Sequence, residues 1–275
     1  MKVNIKISVI IILCLQFIFV SAQNNTDSTK ARIDKAYIKS YFVDVKDIAI
    51  SPLHWNKNEI ITATATAGIG ALLYFNDEQI QGFFQRNRTN AVDEISKYGF
   101  SNWGNGYYTL PALGLLYICG AANDNESNKK TALLATKAFV ISGGFAYMVK
   151  LLSHRYRPDD NIPGDAYIWD GPSLDFDHLS FFSGHSVTVF SVATVIASEY
   201  KEKIIIPIIV YSVAGLTSIS RVYDNRHWAS DVFIGAVLGY ATGKLIYNKN
   251  NWGIDVKPYS DYHSSGISLI YNFNK

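Results

Sequence analysis

Residues 183–199 read SGHSVTVFSVATVIASE, and residues 220–231 read SRVYDNRHWASD. The first stretch places a serine, a glycine and a histidine directly before an apolar segment of helical length. In the second, His227 and Asp231 are four residues apart, so both would lie on one face of a helix that began near Arg226. Each stretch joins polar side chains to a helix end. The pattern predicts a helical fold with its chemistry at the helix ends.

Further apolar segments of helical length flank these two stretches and are separated by polar connections. The full set of segments is 60–75, 107–120, 131–152, 186–198, 204–219 and 232–246. Between the first two, residues 77–98 fit one amphipathic helix. The alternation predicts an all-α fold, a helical bundle of about six core helices.

The organisation along the chain follows from changes in composition. We expect a signal peptide over residues 1–22, an N-terminal arm with one short helix over 23–58, and the helical bundle over 59–250. Residues 251–275 contain alternating apolar positions on both sides of a Ser-Ser-Gly turn, which predicts a short C-terminal β-hairpin.

The N-terminus is typical of an export signal. Lys2 and Lys6 precede an apolar run over residues 7–20, and a small-residue cleavage site ends at Ala22. We therefore expect an exported protein of the cell envelope, periplasmic or membrane-associated, with the signal cleaved near Ala22.

Charge and cysteine content exclude two classes. The 275 residues carry 25 Lys and Arg against 23 Asp and Glu. No basic stripe tracks along the sequence, so we expect no nucleic-acid partner. Of the two cysteines, one lies in the signal, and Cys119 alone cannot form a disulfide scaffold.

The segments leave two relations to a membrane open. A spanning helix needs about 20 apolar residues, yet Lys137 interrupts the third segment and only 13 residues separate His185 from Glu199. Cleavage near Ala22 would place the new N-terminus outside the inner membrane, so six spans would leave the polar clusters on the cytoplasmic side. A cytoplasmic site does not suit an exported enzyme. We therefore favour a water-soluble or peripheral bundle over membrane-embedded helices.

Polar residues cluster at three of the segment ends. The clusters are Lys150 with Arg155 and Arg157, Ser183 with Gly184 and His185, and Ser220 with Arg221, His227 and Asp231. Each has an ordinary structural explanation when taken alone, such as a helix N-cap or a charge that complements the helix dipole.

Together the clusters indicate an oxyanion site. Guanidinium and ammonium groups bind phosphate oxygens, and a glycine at a helix start lets backbone N–H groups approach an anion. The Asp231 carboxylate can accept the Nδ1–H of His227, which leaves Nε2 as a free lone pair. Acidic residues and histidines do not occur at ligand spacing, so no metal site is predicted.

Three motifs carry a family resemblance. Residues 150–158 match K-x6-R-P, residues 183–185 match the end of P-S-G-H, and residues 220–231 match S-R-x5-H-x3-D. Over its helical region the chain resembles the type 2 phosphatidic acid phosphatase and vanadium haloperoxidase superfamily. Phe182 stands where the family usually has proline, a change expected to loosen the preceding turn.

The resemblance implies an activity and a role for each motif residue. It implies a metal-independent phosphatase without a cofactor, acting on phosphomonoesters or on lipid phosphates and pyrophosphates through a phosphohistidine, with vanadate as an inhibitor. His227 would attack phosphorus, Asp231 would orient it, and His185 would start protonated and serve as the acid, giving a bell-shaped pH profile. The phosphoryl oxygens would be held by the remaining motif residues, Lys150, Arg157, Ser183, Gly184 and Arg221.

Two alternatives stay open beside this assignment. One is a vanadium-dependent haloperoxidase, in which the same residues hold vanadate as cofactor, and the other is a non-catalytic phosphate-binding protein of the envelope.

Several residues lie outside the motifs. We expect Arg155 to contact substrate, and His154 and His178 to be solvated. The long connection before Ser183 is either an ordinary solvated connection or a lid, whose Tyr-Ile-Trp patch at residues 167–169 would suit a substrate with an apolar portion.

Overall fold

The predicted apolar segments all form helices in the structure, a computed structural model that describes residues 31–160, 165–251, 254–260 and 265–271. In chain order the helices are α1 (Lys35–Ile50), α2 (Lys57–Tyr74), α3 (Asp77–Arg86), α4 (Asn90–Glu94), α5 (Ser101–Gly104), α6 (Thr109–Ala122), α7 (Glu126–Ser153), α8 (Gly184–Glu199), α9 (Ile205–Tyr223) and α10 (Ala229–Asn251). A 3-10 turn, Ser51–His54, follows α1, and a π-helical turn, Ile95–Phe100, follows α4. The predicted all-α bundle is confirmed, and its six core helices are α2 and α6 to α10.

Helix α8 is the centre of the bundle and packs against α7, α9 and α10. It begins at Ser183, whose side chain accepts a hydrogen bond from the Ser186 N–H at 3.4 Å. Three of its hydroxyl side chains, those of Thr188, Ser191 and Thr194, donate to carbonyls three or four residues earlier in the same helix. A helix that is apolar or internally bonded on every side is suited to burial, which explains why the sequence gives α8 no polar face.

Glycines bring α8 and α10 into close contact. Gly235, Gly239 and Gly243 are spaced by four residues and therefore form one stripe on α10. A Cβ atom added at Gly235 would lie 2.8 Å from the Ser183 carbonyl oxygen, and the other two glycines face α8 carbonyls at least as closely. The stripe fixes the start of α8 against the start of α10.

The N-terminal arm contains a longer helix than expected. The arm was predicted to hold one short helix, and α1 has 16 residues, capped by the Asp34 side chain. It is tied to the bundle by Asp44, whose carboxylate pairs with buried Lys137 of α7 at 2.8 Å and with Lys249 of α10 at 2.9 Å.

Residues 77–98 do not form the single amphipathic helix that their pattern predicts. Helix α3 ends at Arg86, and the Thr89 side chain starts α4 by accepting a hydrogen bond from the Val92 N–H. The cause is local, because a threonine hydroxyl competes for backbone N–H groups and so favours a new helix start.

The C-terminal region contains two strands, β1 (Ile254–Ser260) and β2 (Ser265–Tyr271). They pair in antiparallel fashion, with Val256 opposite Leu269. The residues between them and the expected signal peptide lie outside the described residues, and the domain boundaries stay predictions.

Candidate active site

All three polar clusters meet at one end of the bundle, where α7 ends and α8 and α10 begin. The backbone N–H of Ser183 donates to the Asp231 carbonyl at 3.1 Å, which joins the second cluster to the third. The Lys150 ammonium donates to the carbonyls of Leu179 and Ser180, which join the first cluster to the segment before α8. A side chain at Gly184 would stand 3.9 Å from the Lys150 stem.

The three predicted cations are withdrawn from solvent. Lys150 and Arg221 are 8% and 9% exposed, and Arg157 is half-buried. The Nε atoms of Arg157 and Arg221 are buried and have no hydrogen-bond partner among the described residues. Buried guanidinium N–H groups are unfavourable unless they are paired. The arrangement therefore suits an anion whose oxygens would accept hydrogen bonds from both guanidinium groups.

His185 lies among these cations, against the backbone of α5. A Cβ atom added at Gly104 would come within 2.5 Å of the His185 ring, so only glycine leaves room for the imidazole. Burial, Arg221 and Lys150 lower the pKa of His185 to about 3. The implied protonated starting state of His185 is therefore wrong for the substrate-free protein, because burial among cations disfavours a further positive charge.

His227 is buried in the turn between α9 and α10, because α10 begins at Ala229 and not near Arg226 as the shared helix face required. Its Nδ1 lies 3.9 Å from the Asp231 carboxylate, beyond hydrogen-bond distance, and has no partner among the described residues. The predicted hydrogen bond is thus not formed here, although catalytic hydrogen bonds are often long before substrate binds. Burial and Lys150 hold the pKa of His227 well below its usual range, so the ring is neutral at neutral pH and one of its two nitrogens carries a lone pair.

The Asp231 carboxylate is occupied by other donors. One oxygen accepts from Arg155 Nη1 at 2.5 Å, and the other accepts from the Ser180 hydroxyl at 2.5 Å and the Trp228 N–H at 3.1 Å. Asp231 is fully buried. The Asp231 carboxylate therefore joins two parts of the chain, the turn that contains His227 and the segment before α8.

Arg155 does not contact substrate as expected. Its side chain is completely buried, and its second terminal nitrogen donates to Asp77 at 2.8 Å. The Asp77 carboxylate also accepts from the Ser230 N–H at 2.9 Å. Arg155 is an internal bridge between two buried carboxylates, because its location inside the bundle leaves no path to solvent.

His154 and His178 both make contacts within the structure. His154, 2% exposed, ends α7 in the left-handed conformation, and its Nε2 lies 2.9 Å from the Asp175 carbonyl. The expectation that it is solvated is wrong, because its ring fastens the following loop. The His178 ring stacks on Tyr156 at 3.6 Å and remains partly exposed.

The connection between α7 and α8 is anchored over much of its described length. Trp169 donates to the Tyr74 hydroxyl at 3.2 Å, and its ring lies over the Arg155 guanidinium. Phe182, at the position expected to loosen the turn, is buried against Ala146 and Val187. The role of this connection as a lid stays a prediction.

Sequence reasoning missed the residues that support the motif side chains. They are Asp77 and Ser180, which lie on either side of Arg155 and Asp231, and Ser101, whose hydroxyl accepts from Arg221. None lies at a spacing that marks it as functional. A carboxylate in the first turn of a helix, like Asp77, is ordinarily a surface charge that interacts favourably with the helix dipole, so its sequence position does not mark it as part of a site.

The donor set for a metal ion is limited. In the ranges that the structure describes, no three His, Cys, Asp or Glu side chains cluster as ligands. The absence of a cofactor and of a metal requirement stays a prediction.

Comparisons with known proteins agree with this geometry. Residues 131–254 match the sequence model of the PAP2 superfamily. Lipid A 1-phosphatase of Porphyromonas gingivalis is 30% identical over 169 residues, which cover 58% of this chain and 34% of that protein. Probable diacylglycerol pyrophosphate phosphatase 1 of Schizosaccharomyces pombe is 27% identical over 114 residues, or 37% of this chain and 39% of that protein. The chain thus spans between a third and two fifths of these relatives.

A solved structure supports the fold. The crystal structure of Aquifex aeolicus LpxE superimposes with a TM-score of 0.50 at 24% identity, covering 62% of this chain and 94% of that one. The matched segment 131–254 contains all three motifs and four of the core helices. The helical region that carries the site is therefore similar to the PAP2 superfamily over residues 131–254.

Proposed function

We propose that this protein is a phosphatase that hydrolyses lipid phosphates or pyrophosphates through a phosphohistidine on His227. One observation carries the proposal. Buried His227 and partly buried His185 lie among three cations, two of which have a buried N–H without a partner among the described residues. A phosphoryl group supplies the oxygens that these donors lack, and binds Arg in bidentate fashion.

The proposed first step transfers the phosphoryl group to the enzyme. The lone pair on His227 Nε2 attacks phosphorus, the bond from phosphorus to the leaving oxygen breaks, and His185 gives that oxygen a proton. Lys150, Arg157 and Arg221 hold the three remaining oxygens as charge develops on them.

The proposed second step restores the enzyme. Now neutral, His185 takes a proton from a water molecule, whose oxygen attacks phosphorus as the phosphorus–nitrogen bond breaks. Phosphate leaves, His227 recovers its lone pair, and His185 releases its proton to solvent until the next substrate binds. No step needs a metal or a redox partner.

His185 requires the substrate in order to act as an acid. Its low pKa in the free protein is caused by burial and by neighbouring cations. A phosphate dianion offsets those cations, so binding raises the pKa of His185 and favours proton uptake.

Lipids are the proposed substrate class for two reasons. The relatives are named for phosphatases of lipid A and of diacylglycerol pyrophosphate. The site also lies at the end of a bundle with an apolar exterior. In the described part of the chain, α7, α9 and α10 are long and apolar enough to cross a membrane.

The exterior favours an embedded bundle over the water-soluble one expected from sequence. Large apolar side chains are exposed on helices all around the bundle, among them Ile69, Leu72, Leu115, Ile118, Val140, Met148, Ile208, Leu216, Leu238 and Leu245. Lys137, which counted against a span, is 1% exposed and paired with Asp44. Paired charges that face the interior are the form in which membrane helices carry them.

The test is phosphate release by the full chain purified in detergent, with EDTA present. The substrates are a lipid phosphate in mixed micelles and a soluble aryl phosphate. We expect release from both, and a loss of at least about a thousandfold in His227→Ala, because the nucleophile is removed. Acid quenching during turnover should trap labelled phosphate on the wild-type chain and none on His227→Ala.

A matched control is His54→Ala, since His54 is an exposed histidine in the turn after α1. It should keep full activity. Unchanged release by His227→Ala would refute the phosphohistidine. A folded wild-type chain that binds phosphate without turnover would point to the binding protein, and halide oxidation with vanadate would point to the haloperoxidase.

A further inference from the structure

Two large apolar side chains protrude from the connection between α7 and α8. Leu174 and Phe176, here named the apolar tip, are 84% and 74% exposed. They lie in the segment that leads to Leu179, whose carbonyl accepts from Lys150 of the site. The tip therefore belongs to the catalytic end of the bundle.

The backbone around the apolar tip is held in place. The Ser173 N–H donates to the Leu151 carbonyl at 3.0 Å, and the His154 ring lies 2.9 Å from the Asp175 carbonyl. Asp175 also accepts from the Ser173 hydroxyl at 2.9 Å. Because these bonds fasten the tip to the end of α7, its exposure is a built feature of the connection.

The tip continues the outer face of α7. The Phe176 ring lies 6.3 Å from that of Tyr147. Exposed apolar side chains line the same helix, namely Val140, Tyr147, Met148 and Leu152. The charges of this half of α7, Lys137 and Lys150, are both buried. One apolar surface thus runs along α7 and onto the connection.

The distribution of apolar surface favours lipid over a protein partner. A protein partner covers one patch, whereas α2, α6, α7, α9 and α10 all expose large apolar side chains. The apolar tip extends this exposed apolar surface past the end of α7. Three aspartates, at 170, 175 and 177, lie beside it, so a zwitterionic headgroup region suits it better than an anionic one.

We propose that the apolar tip inserts into the bilayer at the catalytic end and sets the phosphate site at the level of the lipid headgroups. This inference rests on the proposed lipid phosphatase activity. An apolar pair beside the site would draw the headgroup of an embedded lipid, rather than a soluble ester, toward Lys150.

The first test measures selectivity with the full chain in phosphatidylcholine vesicles that contain a lipid phosphate. The variant is Leu174→Ser with Phe176→Ser. We expect kcat/KM for the lipid phosphate to fall about tenfold or more, with hydrolysis of a soluble aryl phosphate unchanged. The matched control is Leu53→Ser, a leucine 82% exposed in the turn that precedes α2, about 27 Å from the catalytic end along that helix.

The second test locates the tip directly and does not depend on turnover. A fluorophore is attached to Leu174→Cys in a chain with Cys14 and Cys119 replaced by serine. Spin-labelled phosphatidylcholine should quench it strongly, and an aqueous quencher weakly. The same label at Leu53→Cys gives the reference.

The outcomes separate this inference from the proposed function. The insertion would be overturned if the double variant kept the lipid selectivity of the wild-type chain and the label were quenched from the aqueous side. Activity of the wild-type chain would still support the phosphatase assignment. Lipid quenching without any turnover that depends on His227 would keep the insertion and refute the assignment. If the double variant does not fold, the labelled single variant decides.

Discussion

At the scale of single residues, the site depends on a buried chain of charges from Asp77 through Arg155 to Asp231. Arg155 joins two carboxylates that would otherwise be buried without a counter-charge. Removing one partner of a buried pair costs about 3–5 kcal/mol. Asp231 in turn holds the turn that carries His227.

We expect Arg155→Met to be destabilised and to lose kcat, with KM nearly unchanged, because Arg155 positions Asp231 and cannot reach substrate. Arg155→Lys should recover part of kcat. Steady-state kinetics in detergent micelles measure both. Arg226→Met is the matched control, since Arg226 forms an exposed ion pair with Asp159. A raised KM with normal kcat would instead identify Arg155 as a substrate contact.

His185 provides a second prediction at this scale. A dianion that binds among Lys150, Arg157 and Arg221 should raise the low pKa of His185 from about 3. Since a raised pKa means proton uptake, binding should take up protons near pH 6 and less at higher pH.

Titration calorimetry with sulfate in buffers of different ionisation enthalpy measures that uptake. Sulfate is a suitable probe because it exchanges no proton of its own near neutral pH. His185→Gln should still bind sulfate but take up fewer protons. An equal uptake in the variant would assign the proton to another group.

The motif side chains at the site could be predicted from sequence because their spacing is distinctive. Their supports could not, because Asp77 and Ser180 become partners of this site only through contacts between distant parts of the chain. Arg155 was misassigned for the same reason. The sequence places it beside Arg157, and only the packing turns one inward and leaves the other at the site.

At the scale of elements, the contact between α8 and α10 sets the distance between the two histidines. Gly239→Ala places a Cβ atom against the Val187 carbonyl. Overpacking of this kind typically costs about 1–3 kcal/mol, so we expect a lower Tm and a reduced kcat. Thermal unfolding and phosphate release in detergent measure the two effects.

Gly215→Ala is the matched control, because a Cβ atom there meets nothing within 4 Å. Alanine is favoured over glycine inside a helix by about 0.5–1 kcal/mol, so this variant should unfold at the same or a higher temperature. A similar loss in both variants would mean that the glycine stripe does not set the helix contact.

The core helices were predictable because long apolar segments between polar connections leave few other folds. The break at Thr89 and the length of α1 were not. The first depends on a single hydroxyl that competes for backbone N–H groups. The second depends on burial of Tyr41, Asp44 and Ile48 against helices far along the chain.

At the scale of the whole molecule, the pair of Asp44 and Lys137 joins the arm to the bundle. We expect Asp44→Asn to lower Tm sharply, because it leaves the Lys137 ammonium buried without a counter-charge, a loss of about 3–5 kcal/mol. Asp47→Asn is the matched control, since Asp47 contacts Lys249 at a half-exposed position. Equal effects would show that the buried pair contributes nothing beyond a surface ion pair.

The same pair bears on how the protein is made. Asp44 precedes Lys137 by 93 residues, so at about 5–20 residues per second it leaves the ribosome some 5–20 s earlier. The Asp44 carboxylate is already present when α7 is synthesised, so Lys137 can form its ion pair as soon as it enters an apolar environment. The order of translation therefore favours assembly of the helix whose far end carries Lys150.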